Sequence, residues 1–394
     1  MALRETARLK ILFPYLARVR AANWSRYQQL LSARARAGDR VRILEPPPRL
    51  SDETNFQEVD VSLPEDLTAE QVELPRLFWD LRLPLDKLIK KGAYSLAANR
   101  RVRALFREAP PDVLLVYNLT QRSLLRSAAP VVFDVADDLP AMLVREGSLI
   151  GRLLRPIAER TLSRMARRAA LVTSPSRVLL SKLPGPALFV PNGVDPEEIR
   201  AAAAGAAPPE PRANLRVGFL GSFEYFIDFD FVLELAARMP EAEFLLIGAG
   251  RRLGDVRERI ARERLPNVRL EGAVAHGQAL SRLGSCDFSL CPFTKDEVGG
   301  SASPLKLFES LALGVPVVAT RTPEILAENP DNVIYADSAE EAAEAIAARI
   351  RLPQDARLRM NEEAHRHVLA ERSWDRIGEG WAEQVRALLL QARR

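Results

Sequence analysis

A chain of 394 residues exceeds what one ordinary hydrophobic core organises and suits two domains of about 150 to 200 residues each. With 47% hydrophobic, 27% charged and 6% aromatic residues, the composition is that of a folded protein and excludes a disordered chain. A formal charge of +4, from 56 basic against 52 acidic residues, is too slight to argue for nucleic acid, and no nucleic-acid partner is expected. In chain order, residues 9–13 read as a short apolar strand, a helical stretch follows over about 25–37, and after Gly38 residues 41–44 form a second strand. The loop after the first strand holds Asn23 and Trp24, a position suited to contacting a substrate. Apolar runs at 113–117, 131–133, 171–173 and 188–190 alternate with helical patterns, which predicts a parallel α/β sheet over a first domain of 1–199. The Ala/Pro-rich segment 200–214 has little to bury and reads as the linker. Strands resume at 215–220, 244–247, 268–271, 288–291 and 315–319, which gives a second α/β domain over 215–370. In the tail, 371–394, Ile377, Trp381, Val385, Leu388 and Leu389 recur at helical spacing and predict a helix with a docked apolar face.

The longest nearly uncharged apolar stretch, 311–320, is about half of what a spanning helix requires, and the first ten residues lack a signal-peptide core. Two cysteines, Cys286 and Cys291, and three histidines cannot supply a disulfide framework or a His-rich metal site, so a reduced, cytoplasmic protein is expected. Only 7 of the 56 basic residues are lysines, so a lysine at a motif position stands out.

The most informative segment is GGSASPLKLFESLALGVPVVAT, residues 299–320. Ser303 suits an N-cap, Pro304 the first helical position and Gly314 the stop, which bounds a helix over 304–313. Its amino end, behind Gly299, Gly300 and Ser301, is suited to cradling an anion, and Lys306 in the first turn conflicts with the helix dipole unless an anionic ligand is present. Glu309 lies one turn deeper on the same face. A cation and helix end for a diphosphate, with a carboxylate for ribose hydroxyls, is what a nucleoside diphosphate needs; the same spacing also describes a surface helix with an i, i+3 ion pair.

The run SPLKLFESLALGVPVVAT resembles the donor-site signature of GT-B glycosyltransferases, especially the broad family-4-like group. The resemblance extends through LVTSPS and VPNGVD (171–195), through 215–250 with its LGS and LLIGAG, and through NVRLEGAVAHGQALSRLGSCDFSLCPF, covering most of 110–325. It implies two Rossmann-like domains facing across a cleft, a nucleotide-sugar donor held mainly by the second, and a terminal helix crossing back to the first. On this resemblance Gly221, Ser222, Gly248 and Gly250 line the donor pocket, with Ala273 and Val274 near the nucleotide base and Gly300, Ser301, Ser303, Lys306 and Glu309 completing it. His276 reads as an exposed loop residue beside it. Many members carry two glutamates with seven residues between them; Glu309 matches the second, but Ser301 stands at the first, which puts sugar identity and stereochemistry in question.

VVFDVADDLPAM places Asp134, Asp137 and Asp138 just beyond the strand at 131–133, at the strand end that faces the ligand crevice of an open α/β fold. Asp137 is the candidate general base, while Asp138 is assigned to the acceptor side and one of the flanking aspartates to capping a turn or helix. A smaller inverting subgroup, including the glucuronosyltransferase of xanthan assembly, is similar in having an aspartate there and in its Ser-x-x-Lys-Leu run. The spacing does not match the metal-binding Asp-x-Asp of GT-A enzymes, so no metal and no cofactor are expected, with Lys306 and the helix dipole stabilising the departing diphosphate. IGAGRRLG, 247–254, is a weak match to a dinucleotide fingerprint. Residues 145–168 hold seven arginines against two glutamates, interleaved with apolar residues; this reads first as an amphipathic helix packed on the sheet, with a peripheral contact with anionic membrane as the alternative. The expected activity is metal-independent transfer of a sugar to a glycan or lipid-linked acceptor. A GT-B-fold nucleotide-sugar epimerase and a catalytically inactive nucleotide-sugar-binding subunit remain alternatives.

Overall fold

The computed structural model describes residues 8–20, 25–47, 63–74, 86–144, 149–185, 187–205 and 214–392. Two compact units emerge: the first holds Met1–Ala21, Tyr27–Val190 and Asp375–Arg394, the second Ala22–Arg26 and Pro191–Trp374.

The first unit is built on seven strands, β1 (Lys10–Pro14), β2 (Arg40–Glu45), β3 (Leu67–Gln71), β4 (Val113–Val116), β5 (Val131–Asp134), β6 (Leu171–Ser174) and β7 (Ala187–Phe189). They pair in parallel in the order β3-β2-β1-β4-β5-β6-β7. Central β4 and β5 are buried along their whole length, which is why β4, and β5 up to its terminal Asp134, read as apolar runs rather than alternating ones. Its helices are α1 (Arg26–Arg36), α2 (Asp86–Glu108), a 3₁₀ helix (Leu119–Arg126), α3 (Leu139–Leu143), α4 (Leu149–Arg168) and α5 (Arg177–Lys182). Val102 of α2, Leu124 of the 3₁₀ helix and Met165 of α4 share one core cluster with Val116 and Phe133 of the sheet.

The second unit opens with α6 (Pro196–Gly205) and continues through β8 (Arg216–Leu220), α7 (Phe229–Arg238), β9 (Glu243–Ile247), α8 (Leu253–Glu263), β10 (Val268–Gly272), α9 (His276–Gly284) and β11 (Phe288–Cys291). It ends with α10 (Glu297–Ser301), α11 (Leu305–Ala312), β12 (Val317–Ala319), α12 (Pro323–Glu328), β13 (Val333–Tyr335), α13 (Ala339–Arg351) and α14 (Gln354–Glu371). Its sheet is parallel in the order β10-β9-β8-β11-β12-β13. The last helix, α15 (Trp374–Ala392), runs into the first unit, where Ile377, Trp381, Ala382 and Val385 are buried. There Arg34 of α1, itself buried, donates to Asp39 at 2.8 Å and to Glu379 of α15 at 2.8 Å.

Both sheets reverse strand order beside their first strand, between β1 and β4 and between β8 and β11; a ligand crevice opens outside the carboxyl ends of the strands at such a point. Two expectations need correction. Residues 200–205 of the expected linker are helix, the second half of α6: Ile199 and Ala202 are buried, so the Ala-rich stretch does have a face to pack, and the boundary lies at 190/191 rather than 199/200. The remainder of the expected linker, 206–213, lies outside the described residues. Strands β3 and β13 escaped the sequence reading because one is a mostly exposed edge strand, LTAEQ, and the other has only three residues.

Candidate active site

The expected donor residues of the second unit gather at the carboxyl end of its sheet, because each follows a strand of that sheet. Gly221 and Ser222 follow β8, Gly248 and Gly250 follow β9, Ala273 and Val274 follow β10, and the segment from Gly300 to Ser303 follows β11 by way of α10. The first two loops interlock through backbone hydrogen bonds from Gly221 N to Ile247 O (3.0 Å) and Phe223 N to Ala249 O (2.9 Å). Gly221 and Gly248 adopt φ of 146° and 140°, a region side chains avoid, and a Cβ on Gly248 would overlap the carbonyl oxygen of Gly221. A Cβ on Gly221 would lie 2.6 Å from Lys306 Nζ, so this glycine makes room for the lysine. Ala273 is exposed and Val274 half-buried.

Lys306 is half-buried in the first turn of α11, its ammonium 4.3 Å from the ring centre of Phe219 and 5.3 Å from that of Phe293. Burial lowers its pKa to about 8, against the opposing pull of Cys291 and Glu309. Among the described residues it has no carboxylate within ion-pair distance, so the i, i+3 pair with Glu309 does not form. Glu309 turns instead to His276, whose Nε2 lies 2.9 Å from Glu309 Oε1 and whose Nδ1 lies 3.1 Å from Glu198 Oε2 of α6. Far from being an exposed loop residue, His276 is 18% exposed in its side chain. Desolvation works against its charge, yet Glu309 and Glu198 prevail and lift its pKa to about 10, so an imidazolium bridges the two carboxylates.

The start of α11 departs from expectation. Its N-cap is Pro304, in extended conformation, and not Ser303. The carbonyl of Ser303 accepts from Asn192 Nδ2 at 2.7 Å, joining the VPNGVD and SPLK motifs, while the Ser303 hydroxyl is buried without a hydrogen-bond partner among the described residues. Ser301 is buried and donates back to Glu297 O (2.9 Å) and Val298 O (3.2 Å) of its own helix. Gly299 is required by the fold, since a Cβ there would overlap the Thr294 carbonyl; Gly300 meets only ordinary contacts with Pro323.

In the first unit the acidic cluster sorts itself by partner. Asp134 accepts from Thr173 Oγ1 at 2.5 Å; Asp138 caps α3 through Ala141 N at 3.1 Å and pairs with Lys182 at 3.1 Å, so both its oxygens are engaged within the unit. Asp137 lies between them with an exposed side chain and no such bond among the described residues. The protein packed around it desolvates its carboxyl and raises the pKa, and the negative charges of Asp134 and Asp138 add to the rise. Tyr117, whose hydroxyl accepts from Leu16 N at 3.0 Å, feels the Asp137 charge from a cluster of Phe13, Tyr15 and Tyr27 rings; these residues are scattered in sequence and gave no signal there. Asn23 and Trp24 lie outside the described residues. Among those described, no group of three or more His, Cys, Asp or Glu side chains is placed to hold a metal ion, and no helix is long and apolar enough to cross a membrane.

Comparison with known proteins bears on the same two halves. Residues 214–351 match the family of Glycosyl transferases group 1, and residues 24–194 the Glycosyl transferase 4-like domain. The chain is 28% identical over 212 residues to TuaH, a candidate teichuronic acid biosynthesis glycosyltransferase of Bacillus subtilis (strain 168); this match covers 51% of the chain and about half, 53%, of that relative. It is 24% identical over 323 residues to the phosphatidyl-myo-inositol mannosyltransferase of Mycobacterium leprae (strain TN), covering 79% of the chain and 78% of the relative. Among solved structures, sucrose-phosphate synthase from Thermosynechococcus elongatus superimposes with a TM-score of 0.75 at 15% identity, over 98% of this chain and 100% of that one. Anabaena HepE in complex with UDP and glucose does so with 0.65 at 15% identity, over 96% and 99%. With two parallel α/β units and both halves matched, the chain belongs to the group 1, family-4-like glycosyltransferases of GT-B fold.

Proposed function

We propose that the protein transfers a sugar from a nucleoside diphosphate, with UDP the first candidate, to a hydroxyl of a glycan or lipid-linked acceptor. The observation that carries this reading is Lys306: a half-buried ammonium without a carboxylate partner among the described residues, held at the amino end of α11 beside the glycine loops at a switch point of the sheet. In this reading Lys306 and the first turn of α11 neutralise the diphosphate and stabilise it as it leaves, without a metal, and Glu309 accepts from the ribose hydroxyls. The second unit holds the donor. HepE, with UDP and glucose, supports the choice of nucleotide; the mannosyltransferase and TuaH support a lipid-linked or cell-envelope acceptor at the inner face of the membrane.

Asp137 takes the acceptor proton. Its raised pKa moves it towards the range of a working base, and the resemblance to the xanthan-type subgroup supports an aspartate in that role. Asp138, committed to its cap and to Lys182, is left out of the chemistry.

A thermal-shift screen of UDP, GDP, ADP and TDP sugars tests the donor assignment, since a ligand bound to the native state raises Tm. One nucleotide should give a clear shift that Lys306→Ala removes; an unchanged shift in that variant overturns the site. Asp137→Asn should keep the shift and lose transfer by about 100-fold or more. The inward-turned Ser301 favours a second reading, a subunit that binds donor without turning it over. That reading requires a shift with neither transfer nor slow hydrolysis in the unaltered protein.

A further inference from the structure

Helix α4 carries a surface that the donor chemistry does not use. Gly151, Ala158, Met165 and Ala166 face inward. At about 100° per residue, Leu149, Leu153, Ile157, Arg160, Arg164 and Arg168 fall on one stripe turned away from them. The amino-terminal half of that stripe is apolar and open to solvent: Leu149 is 73%, Leu153 75% and Ile157 55% exposed. Its carboxyl-terminal half is arginine. There Arg122 and Arg126 of the 3₁₀ helix join Arg164 and Arg168 around a cavity of about 500 Å³ that Leu125 and Met165 also line and that contains no carboxylate.

The four guanidinium groups have no ion-pair partner among the described residues, whereas Arg155, on another face of the same helix, pairs with Glu159 at 2.7 Å. Converging cations without a counter-charge favour an anion between them. Solvent-facing leucines and isoleucine one and two turns away gain nothing from a free anion, but they gain from an acyl boundary. The two halves of the stripe together match one partner chemistry, an anionic lipid surface.

We propose that α4 and the 3₁₀ helix form a docking face for an anionic phospholipid bilayer, with Leu149, Leu153 and Ile157 entering the headgroup–acyl boundary and the arginine cavity taking lipid phosphates. This does not depend on the donor assignment. The test is co-sedimentation of the full chain with vesicles of phosphatidylglycerol and phosphatidylcholine, and with phosphatidylcholine alone, at low and high salt. The expected result is binding to the anionic vesicles that salt releases, reduced about tenfold or more by Arg164→Glu with Arg168→Glu and separately by Leu149→Ser with Leu153→Ser. Should a charge reversal lower Tm, Arg164→Gln with Arg168→Gln replaces it, with a smaller loss expected. Absence of vesicle binding by the unaltered protein, or equal binding by both double variants, overturns the proposal. So does a thermal shift with inorganic phosphate or pyrophosphate that the arginine variant loses while vesicles never bind, since the cavity would then be a site for a free anion.

Discussion

His276 shows how a single side chain can hold a site in place from outside it. Its two ring nitrogens reach Glu198 and Glu309, and without it the buried Glu309 loses its partner. His276→Gln is expected to raise the donor KM about tenfold while kcat changes little, because the lost bond orients a group that binds substrate and transition state alike. The pH dependence carries a sign. A histidine raised from its ordinary 6.5 to about 10 contributes stability that is complete below pH 6.5 and lost as pH rises through 10. Lys306, lowered from 10.5 to about 8, works the other way: its buried cation costs stability below pH 8, and that cost fades as pH climbs towards 10.5. Tm measured from pH 6.5 to 10 should therefore fall less in His276→Gln than in the unaltered protein; parallel curves would show that the bridge contributes nothing. Lysine scarcity and helix-end signals made Lys306 legible in the sequence. The bridge was not, since its partners are 78 and 33 residues away. Ser303 was misread for a related reason: Asn192, 111 residues distant, holds its carbonyl, and helix α11 begins one residue later than the local signals suggest.

At the scale of elements, what shapes the carboxyl end of the second sheet, the proposed donor site, is the contact between two loops rather than either loop alone. IGAG taken by itself was a weak pattern, but the positive φ of Gly248 and its approach to the Gly221 carbonyl give the glycine a physical necessity. Gly248→Ala should cost about 2–4 kcal/mol of stability and abolish the nucleotide-induced shift, measured by denaturant unfolding and thermal shift. Gly254→Ala, in the first turn of α8 and with nothing within 4 Å of its added Cβ, serves as the control and should change neither. Strand alternation was legible because buried parallel strands are predominantly apolar: β4 is so from end to end, β5 up to Asp134, and β11 but for Ser289. The edge strand β3 carries no such signal, and the Ala-rich α6 hid its packing face behind a composition typical of linkers.

At the scale of the whole molecule, the two units share one construction, a parallel sheet whose strand order turns beside its first strand, and they differ in continuity. Nearly all of the second unit is one stretch, Pro191–Trp374, whereas the first is completed by Asp375–Arg394. Deleting 375–394 would uncover the surface against which Ile377, Trp381 and Val385 are buried, at about 1.5–3 kcal/mol per side chain, and would strip buried Arg34 of its Glu379 partner. Limited proteolysis of that truncation should cut the first unit quickly and leave 191–374 protected, with the nucleotide-induced shift retained. Loss of the shift would mean that the donor site is not self-contained.

That discontinuity bears on how the chain is made. Domains ordinarily fold as they leave the ribosome, amino-terminal first. Here the order is inverted for completion: the first unit must wait, with the face that receives α15 uncovered, through the synthesis of the entire second unit before its last helix arrives. The nascent protein thus exposes an apolar surface for roughly 180 residues of elongation, about 10–40 s at ordinary synthesis rates, so the first unit, rather than the second, is where holdase chaperones should be found during translation.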